Sequence, residues 1–430
     1  MRRFGLRPGA ILGGIALGIV IVFSIAFVRA KGLLTEHLQE ARRILETFPE
    51  ETQRRPAIFE PEEPGNAWEL EAKALDLLEP FGPLKEDPPH LHRLVGIFDT
   101  VSAPVEPEEM ARVIVAAEPS FDLVRQALHR VRVTPQRRPG GFTHSSAGNA
   151  FSLLLTSASR AHEHGNDLFA AERLVLVLGW AGDVARHGDL EHYELLWEVE
   201  REGARVARDI LGSHAFSGSD LETVSRWLDR LAAARPSLFQ AIRVDSALER
   251  MFVIDPAFEA AVFVSDGLGP TKPAWRDLWC PTLHDARRVS ALARAVRAHE
   301  GLAGLPPWKR QEAARVRLDA LDLRACQSRE LPREDLYFWD ALARTCMDLL
   351  RIGVAVAWYE VEQGRFPERL ESLVPRYLPS IGMCPLTGRP FVHESGGIRV
   401  DAASIKNPFD EEKDAFPAGY SCWSVRRKSR

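Results

Sequence analysis

Helical periodicity extends through residues 66–332 and constrains the fold more than any other feature of the chain. Apolar residues recur there at intervals of three and four, and only short polar or glycine-containing breaks separate the segments. Short connections between long helices make successive helices antiparallel neighbours, so the pattern predicts a mainly α protein built as an antiparallel α-hairpin array. Residues 167–179 are apolar almost all round, which predicts that their helix is central. The predicted helices span 66–79, 106–117, 120–132, 147–164, 167–186, 189–211, 219–234, 237–254, 283–300 and 307–325.

Residues 10–28 contain no charged side chain, and this apolar stretch predicts a transmembrane helix. At about 1.5 Å per residue such a helix covers about 30 Å, which matches the hydrocarbon core of a bilayer. More basic residues precede the stretch than follow it. The positive-inside rule therefore predicts a single-pass inner-membrane protein with its N-terminus in the cytoplasm and its bulk in the periplasm or outside. A cleaved signal peptide is the alternative, although the stretch is longer than an ordinary signal-peptide core.

Glycines at four-residue spacing lie within and beside the same stretch and predict self-association, because small residues let two helices approach closely. Helical spacing continues over 32–48. The next segment, 49–65, is rich in proline and poor in apolar residues, which predicts an extended linker. The spaced glycines are Gly9, Gly13, Gly14 and Gly18. The expected domains are a stub and anchor over 1–31, a juxtamembrane helix and linker over 32–65, a helical array over 66–332 and a C-terminal unit over 333–430.

Composition excludes several classes of protein. The 430 residues are 45% apolar, enough for a large core, and the net charge is −5, with the excess of acid lying beyond the basic N-terminus. An acidic body argues against nucleic acid as a partner.

The cysteines show no metal-ligand spacing, and we predict no metal and no cofactor. They are Cys280, Cys326, Cys346, Cys384 and Cys422. Cys384 and Cys422 would pair in an oxidising compartment only if the fold brings them together.

The last hundred residues predict a long helix followed by a small antiparallel sheet. A helical apolar stripe begins after Glu334, and Gly364 suits the left-handed position just beyond a helix C-terminus. Pro367 then suits the first turn of a second helix, with Leu370, Leu373 and Val374 on one face. Residues 391–393 and 398–400 flank a Ser-Gly-Gly turn and predict a hairpin, to which 420–423 adds a third strand.

This region resembles the soluble part of a type II secretion major pseudopilin. The resemblance lies in the run Tyr359-x4-Gly364-x-Phe366-Pro367, in the Leu-Val-Pro segment that ends at Pro375, and in the run from Cys384 to Phe391. The chain is also similar to uncharacterised bacterial single-pass membrane proteins that end in such a segment. The resemblance implies a structural subunit or scaffold of the bacterial envelope, associated with a secretion or pilus-like system. It also implies a calcium loop at Asp410, Glu411, Glu412 and Asp414, for which a solvated acidic turn is the alternative.

No residue pattern predicts a catalytic, cofactor or metal site. The pairs His90–His92 and His162–His164 lack further ligands, and His187 with Glu191 and His192 is typical of a helix end. The stretch 267–272 is glycine-rich, but its proline removes an amide that a phosphate would need. Residues 143–146 place hydroxyls beside an imidazole, although helix capping explains the serines.

Two functions from different classes follow. The first is a non-catalytic scaffold that binds a protein partner in the envelope. The second is an extracytoplasmic membrane-tethered hydrolase with a site in a helical groove near 265–285. The hydrolase predicts that at least three side chains converge in one deep pocket among His144, Asp266, Trp275, His284 and Asp285.

Overall fold

The mainly α prediction is confirmed. The computed structural model describes residues 8–46, 53–78, 107–134, 144–212, 216–254, 281–321, 335–394, 397–399 and 423–424, and these contain eleven α-helices. Most of the predicted helices match the observed ones to within a few residues. The helices are α1 (Pro8–Glu46), α2 (Ala67–Leu78), α3 (Pro107–Leu128), α4 (His144–Glu163), α5 (Asp167–His187), α6 (Leu190–Leu211), α7 (Gly218–Ala234), α8 (Leu238–Ile254), α9 (Pro281–Glu300), α10 (Pro307–Asp319) and α11 (Asp335–Gln363). The strands are β1 (Glu63–Asn66), β2 (Arg130–Arg132), β3 (Val392–Glu394), β4 (Gly397–Arg399) and β5 (Trp423–Ser424).

The chain divides into two compact units, and their boundaries fall within α8 and α10 as well as between helices. The first unit contains 1–47, 243–301 and 316–332. The second contains 48–242, 302–315 and 333–430, so the long helix α11 shares a unit with α2 to α7.

In the first unit, α1 packs on helical neighbours along its later turns. Ala41 is fully buried and contacts Ala247 and Met251 of α8. The guanidinium of Arg250, itself only 3% exposed, donates to Glu40 at 2.9 Å. This end of α1 is therefore fixed by apolar packing and by an ion pair.

The predicted membrane span over 10–28 is wrong. Within the part of the chain that the structure describes, no helix combines the length and the apolar character needed to cross a bilayer. The apolar stretch belongs to α1, which continues through the charged residues Arg29, Lys31 and Glu36 and then packs on α8. The predicted pairing through Gly9, Gly13, Gly14 and Gly18, all of which lie in α1, stays a prediction.

The proline-rich segment before α2 differs from the extended linker that its composition predicts. Within its described part, Ile58 is fully buried and Arg55 is 5% exposed. The backbone N–H of Arg55 donates to Val131 at 2.9 Å, and that of Ile58 donates to Leu128 at 2.8 Å. Strand β1 then pairs in parallel with β2. Backbone hydrogen bonds thus hold this segment against the end of α3.

Helix α5 is the centre of the second unit, as its all-round apolar character predicts. Leu176, Val177 and Trp180 are fully buried, and α5 packs against both α4 and α6. Helix α3 lies against α5. The sequence predicts two helices that break near Pro119, but α3 continues through this proline as one helix. Helix α7 begins with a capping box formed by Ser217 and Asp220.

The C-terminal segment has the predicted order of a long helix followed by a small antiparallel sheet. Helix α11 packs on α6 and α7, and Gly364 follows it at a φ of +66°. Instead of a second α-helix, a 3-10 turn over Leu370–Leu373 buries its two leucines. Strands β3 and β4 form the hairpin, with His393 opposite Ile398, and β5 pairs with β4. Cys384 is a buried free thiol, and Cys422 lies outside the described residues.

Two glycines of α5 provide a matched test of packing. A Cβ at Gly179 would lie 2.8 Å from both terminal carbons of Leu128, whereas a Cβ at Gly182 would meet only Pro236, at 3.9 Å. Both alanine variants gain the same helix propensity, so their difference isolates the steric clash. We expect Gly182→Ala to raise the free energy of unfolding by about 0.5–1 kcal/mol. Gly179→Ala should be less stable than Gly182→Ala by about 1–3 kcal/mol. Urea denaturation measures both, and equal stabilities would contradict the close approach of α3 to α5.

Candidate functional site

A cavity of about 220 Å³ lies within the second unit and is the strongest candidate site among the described residues. Helices α5, α6, α7 and α11 form its walls, together with the segment around Arg55 and with Pro236, Pro307 and Pro385. Its apolar walls include Leu178, Leu196, Leu231 and Met347. Its charged walls are Arg55, Asp183, Arg186, Glu200, Arg235, Arg344 and Asp348.

One side of the cavity is built on the ion pair between Arg55 and Asp183. Arg55 Nε lies 2.7 Å from Asp183 Oδ1, Arg55 Nη2 lies 2.5 Å from Asp183 Oδ2, and both side chains are 1% exposed. Arg55 Nη1 also donates to the carbonyl of Arg130 at 2.7 Å. A two-pronged contact of this kind positions a guanidinium rigidly. It therefore ties the segment before β1 to the middle of α5.

The carboxyl groups of Asp183 and Glu71 differ in protonation. Burial by itself raises a carboxyl pKa, but the Arg55 guanidinium outweighs burial and holds the pKa of Asp183 below its usual value. Glu71 of α2 is fully buried nearby, and burial together with the Asp183 charge raises the pKa of Glu71 well above its usual value. Glu71 is thus the carboxyl that keeps its proton, and Asp183 is the one that stays ionised.

The other side of the cavity is built around Arg235, which follows the last residue of α7. Its Nε and Nη2 donate to the two oxygens of Glu200 at 2.7 and 2.8 Å. Its Nη1 donates to Asp340 at 2.7 Å and to the Tyr193 hydroxyl oxygen at 2.9 Å. Arg344 donates to the second oxygen of Asp340 at 2.9 Å. One guanidinium thus connects α6, the end of α7 and α11.

Arginines control the protonation of this cluster as well. Burial works against ionisation of Asp340, but Arg344 and Arg235 reverse its effect and hold the Asp340 pKa far below the usual range. Burial raises the pKa of Tyr193, so its hydroxyl stays neutral. Asp340 is consequently an anion that accepts hydrogen bonds and is a weak base.

Arg186 lines the cavity with one of its N–H groups buried and unpaired. It is 8% exposed, and its Nη2 donates to the carbonyl of Ala234. Its Nε has no hydrogen-bond partner among the described residues, and the nearest carboxylate oxygen, Asp183 Oδ1, lies 3.8 Å away. Burial lowers the pKa of Arg186, but an arginine stays charged at neutral pH. Arg186 therefore retains hydrogen-bonding capacity that the surrounding protein does not use.

None of the residues in this site was predicted as a candidate from the sequence. Arg55 lies in the expected linker and Arg235 in a short connection, and the carboxylates that they bind are distant along the chain. Charged residues inside apolar helical stripes, such as Asp183 and Asp340, were the one available signal, because such a residue must find a partner when its helix is buried.

His90 and His92 lie outside the described residues, and the other histidines paired or clustered in the sequence have structural partners. His162 Nδ1 lies 2.6 Å from Asp167, and His164 Nδ1 lies 2.7 Å from the Arg160 carbonyl, so the two rings have separate partners. His187 contacts the Val133 carbonyl through Nε2 at 2.6 Å. His192 contacts Asp189 at 2.7 Å. Among the described residues no group of side chains has the composition of a metal site.

The hydrolase prediction falls mostly outside the described part of the chain. Asp266 and Trp275 lie outside it, as do the glycine-rich stretch 267–272 and the acidic residues 410–414. His144 and His284 lie in α4 and α9, but their side chains are not described. The predicted convergence of these groups stays a prediction.

Comparisons with known proteins give no relative: no family model, no curated protein and no solved structure matches the chain. The pseudopilin resemblance therefore rests on the sequence alone.

His187 makes stability depend on pH. Burial lowers its pKa from 6.5 to about 4. The unfolded chain thus binds the proton first, and stability should fall as pH decreases from about 6.5 to about 4, by about 3 kcal/mol in total. His187→Gln keeps a donor for Val133 but does not titrate, so we expect it to flatten this part of the profile. Urea denaturation between pH 7 and pH 4 measures it, with the exposed His164→Gln as control. An unchanged slope in His187→Gln would show that other groups cause the dependence.

Arg235 should be essential for stability. Removing it leaves the buried carboxylate of Glu200 without its two-pronged partner and Asp340 with Arg344 as its remaining arginine, and breaking a buried pair costs about 3–5 kcal/mol. We expect Arg235→Met to lose about that much of the free energy of unfolding. Arg226→Met is the matched control, because Arg226 is 55% exposed and exposed pairs contribute about 0–1 kcal/mol. Thermal and urea unfolding compare the two, and equal losses would refute the assigned role.

Proposed function

We propose that this protein is a binding protein, a helical scaffold that holds another molecule rather than transforming it. The observation that carries the proposal is the cavity of about 220 Å³ in the second unit, which has apolar walls and fixed charged groups. Small-molecule sites are typically concave and mostly apolar, with a few polar groups that fix orientation.

The chemistry of the walls favours binding over catalysis. The described residues that line the cavity include no serine, threonine, cysteine, histidine, lysine or tyrosine. The Asp183 carboxylate is held ionised by Arg55 and is a weak base. Burial raises the pKa of Asp348, but the lining residues described offer it no hydroxyl, thiol, imidazole or amine as a partner in catalysis. General acid–base or nucleophilic catalysis needs such groups in reach of one another.

The scaffold expectation from the sequence is kept in this proposal, and a protein partner for it stays a prediction. The hydrolase alternative gains no support from the described residues. The helices around the cavity are connected by buried ion pairs, which suits a site whose shape must persist between binding events.

A larger side chain at Gly182 can fill the cavity while its charged side chains stay unchanged. A Cβ at Gly182 points toward Pro236, another wall residue, so a larger side chain there enters the cavity. We expect wild type and Gly182→Ala to retain a non-covalent small molecule in native mass spectrometry of the intact chain. Gly182→Leu should lose it while keeping its helical circular dichroism. Absence of any bound molecule in wild type, or equal retention by folded Gly182→Leu, would refute the proposal.

A further inference from the structure

The charges around the cavity balance, and this balance identifies the class of ligand. Among the described residues, four arginines and three carboxylates line it. A fourth carboxylate, that of Asp340, accepts hydrogen bonds from Arg235 at 2.7 Å and from Arg344 at 2.9 Å. Four cationic groups therefore meet four anionic groups, and the charges cancel. The lining arginines are Arg55, Arg186, Arg235 and Arg344, and the lining carboxylates are those of Asp183, Glu200 and Asp348.

Asp348 completes the balance. Burial raises the pKa of its carboxyl, and neighbouring arginines oppose this effect. These arginines are Arg351, Arg344 and Arg235. The Asp348 side chain is also 32% exposed, so water reaches it. Arg351 lies 3.5 Å from Asp348 but is bound to Asp229 at 2.5 Å, and it adds no free cation to the cavity. Arginines and water thus favour the ionised form of Asp348 at neutral pH.

A charged ligand would find no free counter-charge in this cavity. Arg55 and Arg235 each hold a carboxylate by two N–H groups. Arg186 Nε has no hydrogen-bond partner among the described residues, but it exposes less than 1 Å² and is out of reach of a ligand. At the α11 wall, Arg344 and Asp348 are 31% and 32% exposed and present one charge of each sign. An ion would therefore give up its hydration without gaining a partner, which costs free energy.

The apolar walls favour a ligand with an apolar body. Leu178, Leu196 and Leu231 come from α5, α6 and α7, and Met347 comes from α11. An engineered cavity of about 150 Å³ in another protein accommodates benzene and stays dry. A cavity of about 220 Å³ therefore has room for a molecule somewhat larger than benzene.

We propose that the cavity binds a small uncharged molecule with an apolar body and discriminates against ions of the same shape. Contact with the leucines and Met347 supplies the affinity, because apolar surface is removed from water. The balanced charges of the walls supply the discrimination, because they leave an ion without a counter-charge. This inference rests on the proposed binding function and specifies the ligand class of the same cavity.

Benzyl alcohol, benzoate and benzylammonium test the inference, because the three probes share one ring and differ in charge. Ligand-observed NMR titrations of the full chain at neutral pH give the three dissociation constants. Benzyl alcohol should bind at least about tenfold more tightly than either ion. Gly182→Leu fills the cavity, so it should abolish the binding of benzyl alcohol.

Removing one carboxylate should change the selectivity in a defined direction. Asp348→Asn keeps the size of the side chain and leaves one arginine in excess, so the affinity for benzoate relative to benzyl alcohol should rise about three- to tenfold. Asp209→Asn is the matched control. It makes the same charge change on the wall helix α6, but Asp209 is 55% exposed and does not line the cavity. Equal ratios in the two variants would show that the wall charges do not select the ligand and would overturn the inference.

The two proposals fail in different ways. If an ionic probe binds wild type as tightly as benzyl alcohol, and Gly182→Leu abolishes both, the binding function stands and the uncharged ligand class is wrong. If no probe binds wild type and native mass spectrometry finds no retained molecule, or if folded Gly182→Leu binds benzyl alcohol as wild type does, both proposals fail. A retained molecule that is uncharged supports the inference, and an ionic one overturns it. All variants require a cooperative unfolding transition like that of wild type before their affinities are compared.

Discussion

The buried guanidinium of Arg235 is the interaction on which the second unit depends. It binds Glu200 of α6 and Asp340 of α11 and contacts Tyr193, so one side chain fixes the relative positions of segments that lie far apart in sequence. Burying three charges is expensive unless each is paired and hydrogen-bonded. Few other packings of the helices would keep these groups paired, so the cluster favours one arrangement of the helices over others.

Arg55 plays the corresponding role on the other side of the cavity. Its contacts with Asp183 and with backbone carbonyls bring a proline-rich segment into the core. Between the two arginines, Gly182 has open space beside it, whereas Leu128 fills the space beside Gly179. The cavity is thus a consequence of how the core is held together: arginine pairs set the spacing of the helices, and Gly182 leaves part of that space empty.

The same arrangement is the reason why we propose binding rather than proton transfer at this site. Each of the strongly buried carboxylates Asp183 and Asp340 is held ionised by arginine, against the effect of burial. Arg186 is the exception to complete pairing, because its Nε faces no acceptor among the described residues. A cavity with apolar walls and with charged walls fixed by ion pairs is suited to holding a molecule in one orientation.

The sequence by itself determined the helices, because apolar periodicity and capping or breaking residues are local signals. It placed α4 to α9 within a few residues, identified α5 as central, and predicted Gly364 at the end of α11 and the hairpin that follows. The predicted membrane span over 10–28 was wrong, since composition alone does not show where a helix continues and what it packs on. Only the tertiary structure decided that Arg55 belongs to the core and that Arg235 meets Glu200 and Asp340. Such pairs join residues separated by up to 128 positions, and no local pattern specifies which distant carboxylate will neutralise a buried arginine.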